Sequence, residues 1–222
     1  CSVYKLTGDT MVSYGSEHMI PYLIADGDTD VTCATGLAMG GFLNSFGRVT
    51  DPPHRAAVVT LLSASTCSEI QAWEAELRSS RAIYRRDVVG AKDASILAKR
   101  AHQMTAWRLY RAYQRAVAQY GEPGAKQCPV LDSEFDEFVW LLGILAVVQG
   151  VEHDRAARGS VGIPLDAPRK AARGTMCLNN SKWWGVPQAL RSAIWASIPG
   201  SAPKGVDPWK GLQEAVKVAD AK

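Results

Sequence analysis

The sequence predicts an all-α protein, a helical bundle of stacked antiparallel helix pairs. Three observations carry that expectation. No segment alternates apolar and polar residues with a period of two over five residues, as a half-buried strand does. Long stretches instead repeat apolar residues every three or four positions, between recognisable helix starts and stops. The most apolar run, Phe135 to Val151 (FDEFVWLLGILAVVQGV), is apolar nearly all round from Phe138 to Val148, as befits a central helix wrapped by others.

Taken in order, residues 2–15 read as a short helix, the end of an N-terminal anchor segment spanning 1–15. Ser16 to Ala25 reads as a second helix, disturbed by Pro21 near its middle. The acidic stretch Ala25 to Asp30 reads as a turn and helix cap. As a calcium loop it fails, because the twelfth position needs a bidentate Glu, and counting from Asp26 or Asp28 gives Leu37 or Met39. A third helix covers Asp30 to Phe46 and contains Gly36, Gly40 and Gly41. Each Gly costs about 1 kcal/mol against Ala in a helix. Such glycines either admit a neighbouring backbone or leave space for a ligand beside Met39 and Phe42.

Asp51-Pro52-Pro53 marks the next helix start. That helix runs through AAVVTLLSAST and resumes as Ser68 to Arg86, with Ile70, Trp73, Leu77 and Tyr84 near one face. Gly90 reads as a break. Lys92 to Tyr120 is another long helix with Asp93 as its cap and Ile96, Leu97, Met104, Trp107, Tyr110 and Val117 as its apolar stripe; Glu122-Pro123-Gly124 ends it. Asp132 or Ser133 caps the central helix, and Glu134, Asp136 and Glu137 suit the positive end of its dipole. The rest of one domain spanning 1–222 is a looser C-terminal part, 152–222. Glu152 to Arg173 reads as a surface connection, Asn179 to Gly185 as a turn that exposes Trp183 and Trp184, and Pro187 to Ile198 as a helix. Asp207-Pro208 opens a last amphipathic helix.

Composition narrows the function classes. With 25 basic and 22 acidic residues the net charge is only +3, and no dense basic stripe exists to neutralise phosphates, which argues against nucleic acid as a partner. Hydrophobic content of 47% is enough for a real core. No apolar stretch reaches the ~18 residues of a membrane span.

The five cysteines, Cys1, Cys33, Cys67, Cys128 and Cys177, form no C-x-x-C pair, so neither a zinc site nor a redox motif is indicated. A chain beginning at Cys is what processing of a bacterial lipoprotein leaves. The expectation is therefore that Cys1 is lipidated and holds the protein to the outer membrane, facing the periplasm. The remaining four either form two disulfides in that oxidising compartment or are buried free thiols. Of the three possible pairings, Cys33 with Cys67 and Cys128 with Cys177 each join neighbouring elements.

Three tryptophans are nearly periodic: Trp73, Trp107 and Trp140 lie 34 and 33 residues apart. That is the period of tetratricopeptide repeats, although the Leu-Gly pair of that consensus is missing at its consensus spacing after each Trp. The layout as a whole, with Cys1, then KLTGDTMVSYGS, then long Ala- and Arg-rich helices such as RAHQMTAWRLYRAYQRAV, resembles the TatT family over roughly residues 1 to 150. These are helical, tetratricopeptide-like lipoproteins associated with periplasmic TRAP transporters. A related possibility is the TatT-like outer-membrane component of a bacterial sterol transport system. The resemblance implies a helical bundle with a lipophilic cavity and a periplasmic solute-binding protein as partner. The four internal cysteines and the Trp183-Trp184 part depart from it.

No catalytic constellation is evident. Among His18, His54, His102 and His153, only Glu17-His18 and Glu152-His153-Asp154 form clusters, and helical neighbours point about 100° apart. There is no G-x-S-x-G, no H-E-x-x-H and no phosphate loop, Gly121 to Lys126 having the wrong spacing. No metal, cofactor or catalytic residue is expected, and the protein reads as a non-enzyme. The candidate ligand residues are soft and aromatic: Met39, Phe42, Trp73, Met104, Trp107, Tyr110, Phe138 and Trp140, with Tyr110, Gln114 or Asn44 able to hydrogen-bond a hydroxyl. The leading expectation is a lipoprotein that binds and hands on an apolar small molecule, a sterol or other lipid; burying ~300 Å² would gain roughly 7 kcal/mol before ordering costs. The alternative is a helical scaffold that docks a solute-binding protein without a ligand of its own, with Trp183 and Trp184 as hot spots.

Overall fold

The computed structural model describes residues 2–221, and among these every regular element is helical. The chain is an all-α helical bundle. Cys1 and its expected lipidation lie outside the described residues. No helix among them is long and apolar enough to cross a membrane.

The first helix, α1 (Val3–Tyr14), passes through a π-helical turn (Gly15–Met19) directly into α2 (Ile20–Asp26). Two separate helices were expected from sequence. Pro21 lacks the N–H that closes a normal turn, and its ring crowds the carbonyl four residues back. A widened turn just before it lets the helical path continue. The next helix, α3 (Thr29–Ser45), starts at Asp28, whose carboxylate accepts the N–H groups of Asp30 and Val31 at 2.9 and 3.1 Å. The acidic stretch is thus a helix cap.

Two long helices follow, α4 (His54–Tyr84) and α5 (Val88–Tyr120), joined by a tight turn at 85–87. Both correct the sequence reading. The α4 helix is uninterrupted through residue 68, and within the expected start Asp51-Pro52-Pro53 it is Pro53 that occupies the cap position. Asp87, not Asp93, caps α5, its carboxylate accepting the Gly90 N–H at 2.9 Å. Gly90 therefore sits inside the first turn, where a side chain would collide with that carboxylate.

Ser133 caps α6 (Glu134–Ala156), whose buried set includes Val139, Trp140, Ile144, Ala146 and Val147. The paired positions fix directions. Gly143 of α6 meets Ala116 of α5, and Gly150 meets Leu109, so these helices are antiparallel. Ser68 meets Thr105 and Ser79 meets Ala91, so α4 and α5 are antiparallel too. Gly36 and Gly40 of α3 lie against Ala64 and Thr60 of α4 in the same sense. At Gly36 a Cβ would overlap the Ala64 backbone nitrogen, which is why this helix tolerates the propensity cost of a glycine. The interval from Trp73 to Trp107 is one long helix hairpin step, whereas a tetratricopeptide repeat fits two helices into about 34 residues.

The C-terminal part wraps the α6 side of the core: α7 (Ala167–Gly174), a 3₁₀ turn (Thr175–Cys177), α8 (Val186–Ser197) and α9 (Pro208–Asp220). Trp140 anchors it. Its ring is 1% exposed, packs edge-on against Tyr120 at 6.0 Å, and its indole N–H donates to the Gly174 carbonyl at 3.2 Å. The structure pairs Cys33 with Cys67, tying α3 to α4, and Cys128 with Cys177, tying the α5–α6 connection to the turn after α7.

Candidate functional site

The ten candidate ligand residues do not converge on one space. Trp140 is core, surrounded by the chain's own Ile144, Val147, Ala171 and Ala172. Phe138 is half-buried and stacks on Trp183 at 6.2 Å, and Tyr110 stacks on Tyr113 at 6.2 Å. On α3, Met39 is half-buried, Phe42 meets Phe46 edge-on at 5.0 Å, and Asn44 donates to its own helix at the Gly40 carbonyl, 2.6 Å away. Trp73 and Gln114 face solvent on α4 and α5. Met104 and Trp107 share a shallow cleft of about 470 Å³ that Arg100, Gln103, Ser160 and Val161 complete.

That pair belongs to a larger feature. Along the outer side of α5, Leu97, Met104 and Trp107 are 45%, 45% and 47% exposed, a row of large apolar side chains left half in solvent. A groove of about 510 Å³ continues from Leu97 and Met104 past Leu37, Gln71, Glu74 and Arg78 to Arg108. The Arg111 guanidinium lies over the Trp107 ring at 5.3 Å. Arg108 donates to the Ala64 carbonyl at 2.7 Å and to Ser68 at 3.2 Å, so its stem is fixed while burial makes its proton easier to lose than usual. Arg78, Arg100, Arg108 and Arg111 against Glu74 leave this surface basic.

A second cleft, about 680 Å³, opens between the α1–α2 arm and the starts of α4 and α6. Asp9, Ser13, Glu17, His54 and Arg55 give it polar walls. Burial and then the neighbouring Arg115 keep the His54 imidazole below its ordinary range. Beside it, Asp136 joins three helices: it accepts from Tyr120 at 2.7 Å, from Ser133, and from Arg55 at 3.4 Å. Burial pushes its carboxyl up, but those hydrogen bonds and the guanidinium outweigh burial and leave it below the usual carboxylate range. Burial and the bond to Asp136 raise the Tyr120 hydroxyl well above the phenolic range.

The tryptophan pair 183–184 splits. Trp184 is exposed, but Trp183 is buried, and this corrects its reading as a surface hot spot. A buried indole N–H needs an acceptor. Glu137 supplies it at 2.7 Å and also receives Lys182 at 3.0 Å. Those two donors, Trp183 first, hold the Glu137 carboxyl below its ordinary value.

At the opposite end of the core lies a cluster the sequence reading did not find. His102 of α5 and His153 of α6 are buried and their Nδ1 atoms are 2.8 Å apart. Each Nε2 faces a carboxylate of α4: His102 that of Glu76 at 2.9 Å, His153 that of Glu69 at 3.1 Å. The signal was a Glu repeated seven residues apart on one helix face, but nothing in the sequence placed His153 across from His102. The Glu152-His153-Asp154 triplet diverges as helical geometry requires: Glu152 pairs outward with Arg155, and Asp154 accepts the backbone N–H groups of Val161, Gly162 and Ile163. No group of three or more metal-ligating side chains with metal-binding geometry occurs among the described residues.

Compared with protein-family models, with curated proteins and with solved structures, the chain shows no significant match.

Proposed function

We propose that the protein is a non-catalytic helical docking module whose partner seats on the outer face of α5. The observation that carries this reading is the half-exposed row Leu97, Met104 and Trp107 within a basic frame of Arg78, Arg100, Arg108 and Arg111. Large apolar anchors with arginines around them are what binding hot spots are made of. The excess of arginine favours an acidic partner surface, because complementary charge steers encounter and fixes register. The partner implied by the family resemblance is a periplasmic solute-binding protein of a TRAP-type transporter. Two disulfides support residence in an oxidising compartment such as the periplasm.

The competing reading is a carrier for a sterol or another apolar small molecule, held to the outer membrane through Cys1. It calls for a dry enclosed space. The clefts described here are open, with charged residues in their walls, and this favours docking over carriage.

Hydrogen–deuterium exchange of the protein with and without the solute-binding protein of its transport system tests the proposal. Slowed exchange in the α5 segment 97–111 is the expected footprint. A footprint elsewhere, or none, overturns it. A native mass spectrum that retains a lipid on the isolated protein would favour the carrier instead.

A further inference from the structure

Two buried imidazoles and their flanking carboxylates form one continuous chain, Glu76–His102–His153–Glu69. Three contacts of 2.9, 2.8 and 3.1 Å run through it in series. Each contact needs one hydrogen. The two Nε2 atoms face ionised carboxylates, which only accept, so both must carry N–H. Two neutral imidazoles have two such hydrogens in all, and both are then used. The Nδ1···Nδ1 contact needs a third.

We propose that this cluster is a buried binding site for one proton, which locks α4, α5 and α6 together. One imidazole is an imidazolium, the other is neutral with its Nδ1 lone pair toward the first, and two carboxylates flank them, a net charge of −1. Removing the shared proton sets two lone pairs against each other at 2.8 Å. Adding a fourth proton sets two N–H groups against each other. Either change breaks the central contact, so the lock holds only between two titration steps that belong to the cluster as a whole.

The surroundings suit a proton site better than a metal site. The contacts run in a line rather than converging on a point, and each ring nitrogen is already engaged. His102 and His153 are 6% and 8% exposed, whereas the carboxylates at the two ends reach water to different extents, the Glu76 side chain at 53% and that of Glu69 at 22%. Glu76 and His102 line an open cleft of about 670 Å³ together with Lys99 of α5 and Arg158 after α6, the basic groups that face the cluster. Asp154, next to His153, is fully occupied by three backbone N–H groups and does not compete. A proton can therefore enter from the cleft at Glu76 and be held between the rings. Such a lock makes the grip of α6 on the α4–α5 hairpin depend on whether the shared proton is present.

Imidazole ¹⁵N and ¹H NMR of the full chain tests this, run from about pH 5 to about pH 9, the span around the ordinary histidine range. The expected result is one strongly downfield, exchange-protected proton shared by the two Nδ1 atoms, both Nε2 atoms protonated, and loss of that signal at both extremes. Two independently titrating imidazoles, or an unprotonated Nε2 in either ring at neutral pH, overturns the proposal. Variants give a second readout. Glu76→Gln, at the exposed end, keeps the fold but weakens the support for the charge, so the shared-proton signal should disappear at a lower pH than in the parent chain. His153→Gln should remove the bell-shaped part of the pH dependence of urea unfolding, a change of roughly tenfold in the folded-to-unfolded ratio at its centre, the size of one charged hydrogen bond. An unchanged pH profile in His153→Gln counts against the site.

Discussion

Replacing Trp140 with Ala should both weaken the protein and create a ligand site that the parent chain lacks. The ring is 1% exposed and sits between Tyr120, Ile144 and the Gly174 end of α7. Truncation removes about 140 Å³ of side chain; at about 24 cal/mol per Å³ the cavity alone costs about 3 kcal/mol, in line with the roughly 3–5 kcal/mol of large-to-small aromatic changes. The Gly174 carbonyl also loses its donor, which costs about 1 kcal/mol more. Urea unfolding followed by circular dichroism measures the sum, expected near 4 kcal/mol. Because a dry apolar cavity of this size takes up small aromatics, indole should restore part of the loss in Trp140→Ala and do nothing for the parent protein. A loss under about 1 kcal/mol would show that the site is not tightly packed. Stabilisation of the parent chain by indole would show that the core already contains the space a carrier needs.

Other outcomes follow from the same packing. Cys33→Ser with Cys67→Ser should cost up to about 4 kcal/mol by loop-closure entropy, and an unfolding midpoint that ignores both the substitution and a reductant would contradict that. Gly143→Val should destabilise by about 1–3 kcal/mol or more, because its Cβ would overlap the Ala116 methyl group; the same change at Gly41, where no atom of another element lies nearby, should cost far less, and equal costs would refute the close approach. Asp136 and Glu137 have lowered folded-state values, so their contribution to stability is present above the unfolded carboxylate range near pH 4 and is lost as pH falls through the folded values. Asp136→Asn should flatten that acid limb of the unfolding curve, and an unchanged limb would remove Asp136 from the account.

What the sequence disclosed and what it hid follow from the range of the forces involved. Helix caps and apolar periodicity are local, so the cap at Asp132 or Ser133, the capping stretch Ala25 to Asp30, the start at Asp207 and the run through Trp140 are legible, and the structure selects Ser133 and Asp28. Gly90 and Pro21 misled because a single breaker was weighed without its partner: Asp87 makes Gly90 part of a cap, and a π turn absorbs Pro21. The candidate ligand residues share a chemistry but not a location in the fold. Period reasoning places Met104 and Trp107 on one stripe with Tyr110 and Val117 but carries no information on which neighbour each meets; Tyr110 and Val117 pack on the core, while Met104 and Trp107 stay half in solvent. Trp183 looked exposed because its acceptor, Glu137, is 46 residues away. The histidine cluster depends on three helices meeting, and no local pattern contains that meeting.

Affinity at the α5 face is the most direct measurement of the docking account. Interferometry with the solute-binding protein should show Trp107→Glu and Met104→Glu binding at least tenfold more weakly than the parent chain, with Gln114→Glu, exposed on the same helix, much less affected. Equal affinities for all four proteins, each folded by circular dichroism, would contradict the assignment of this face as the docking surface.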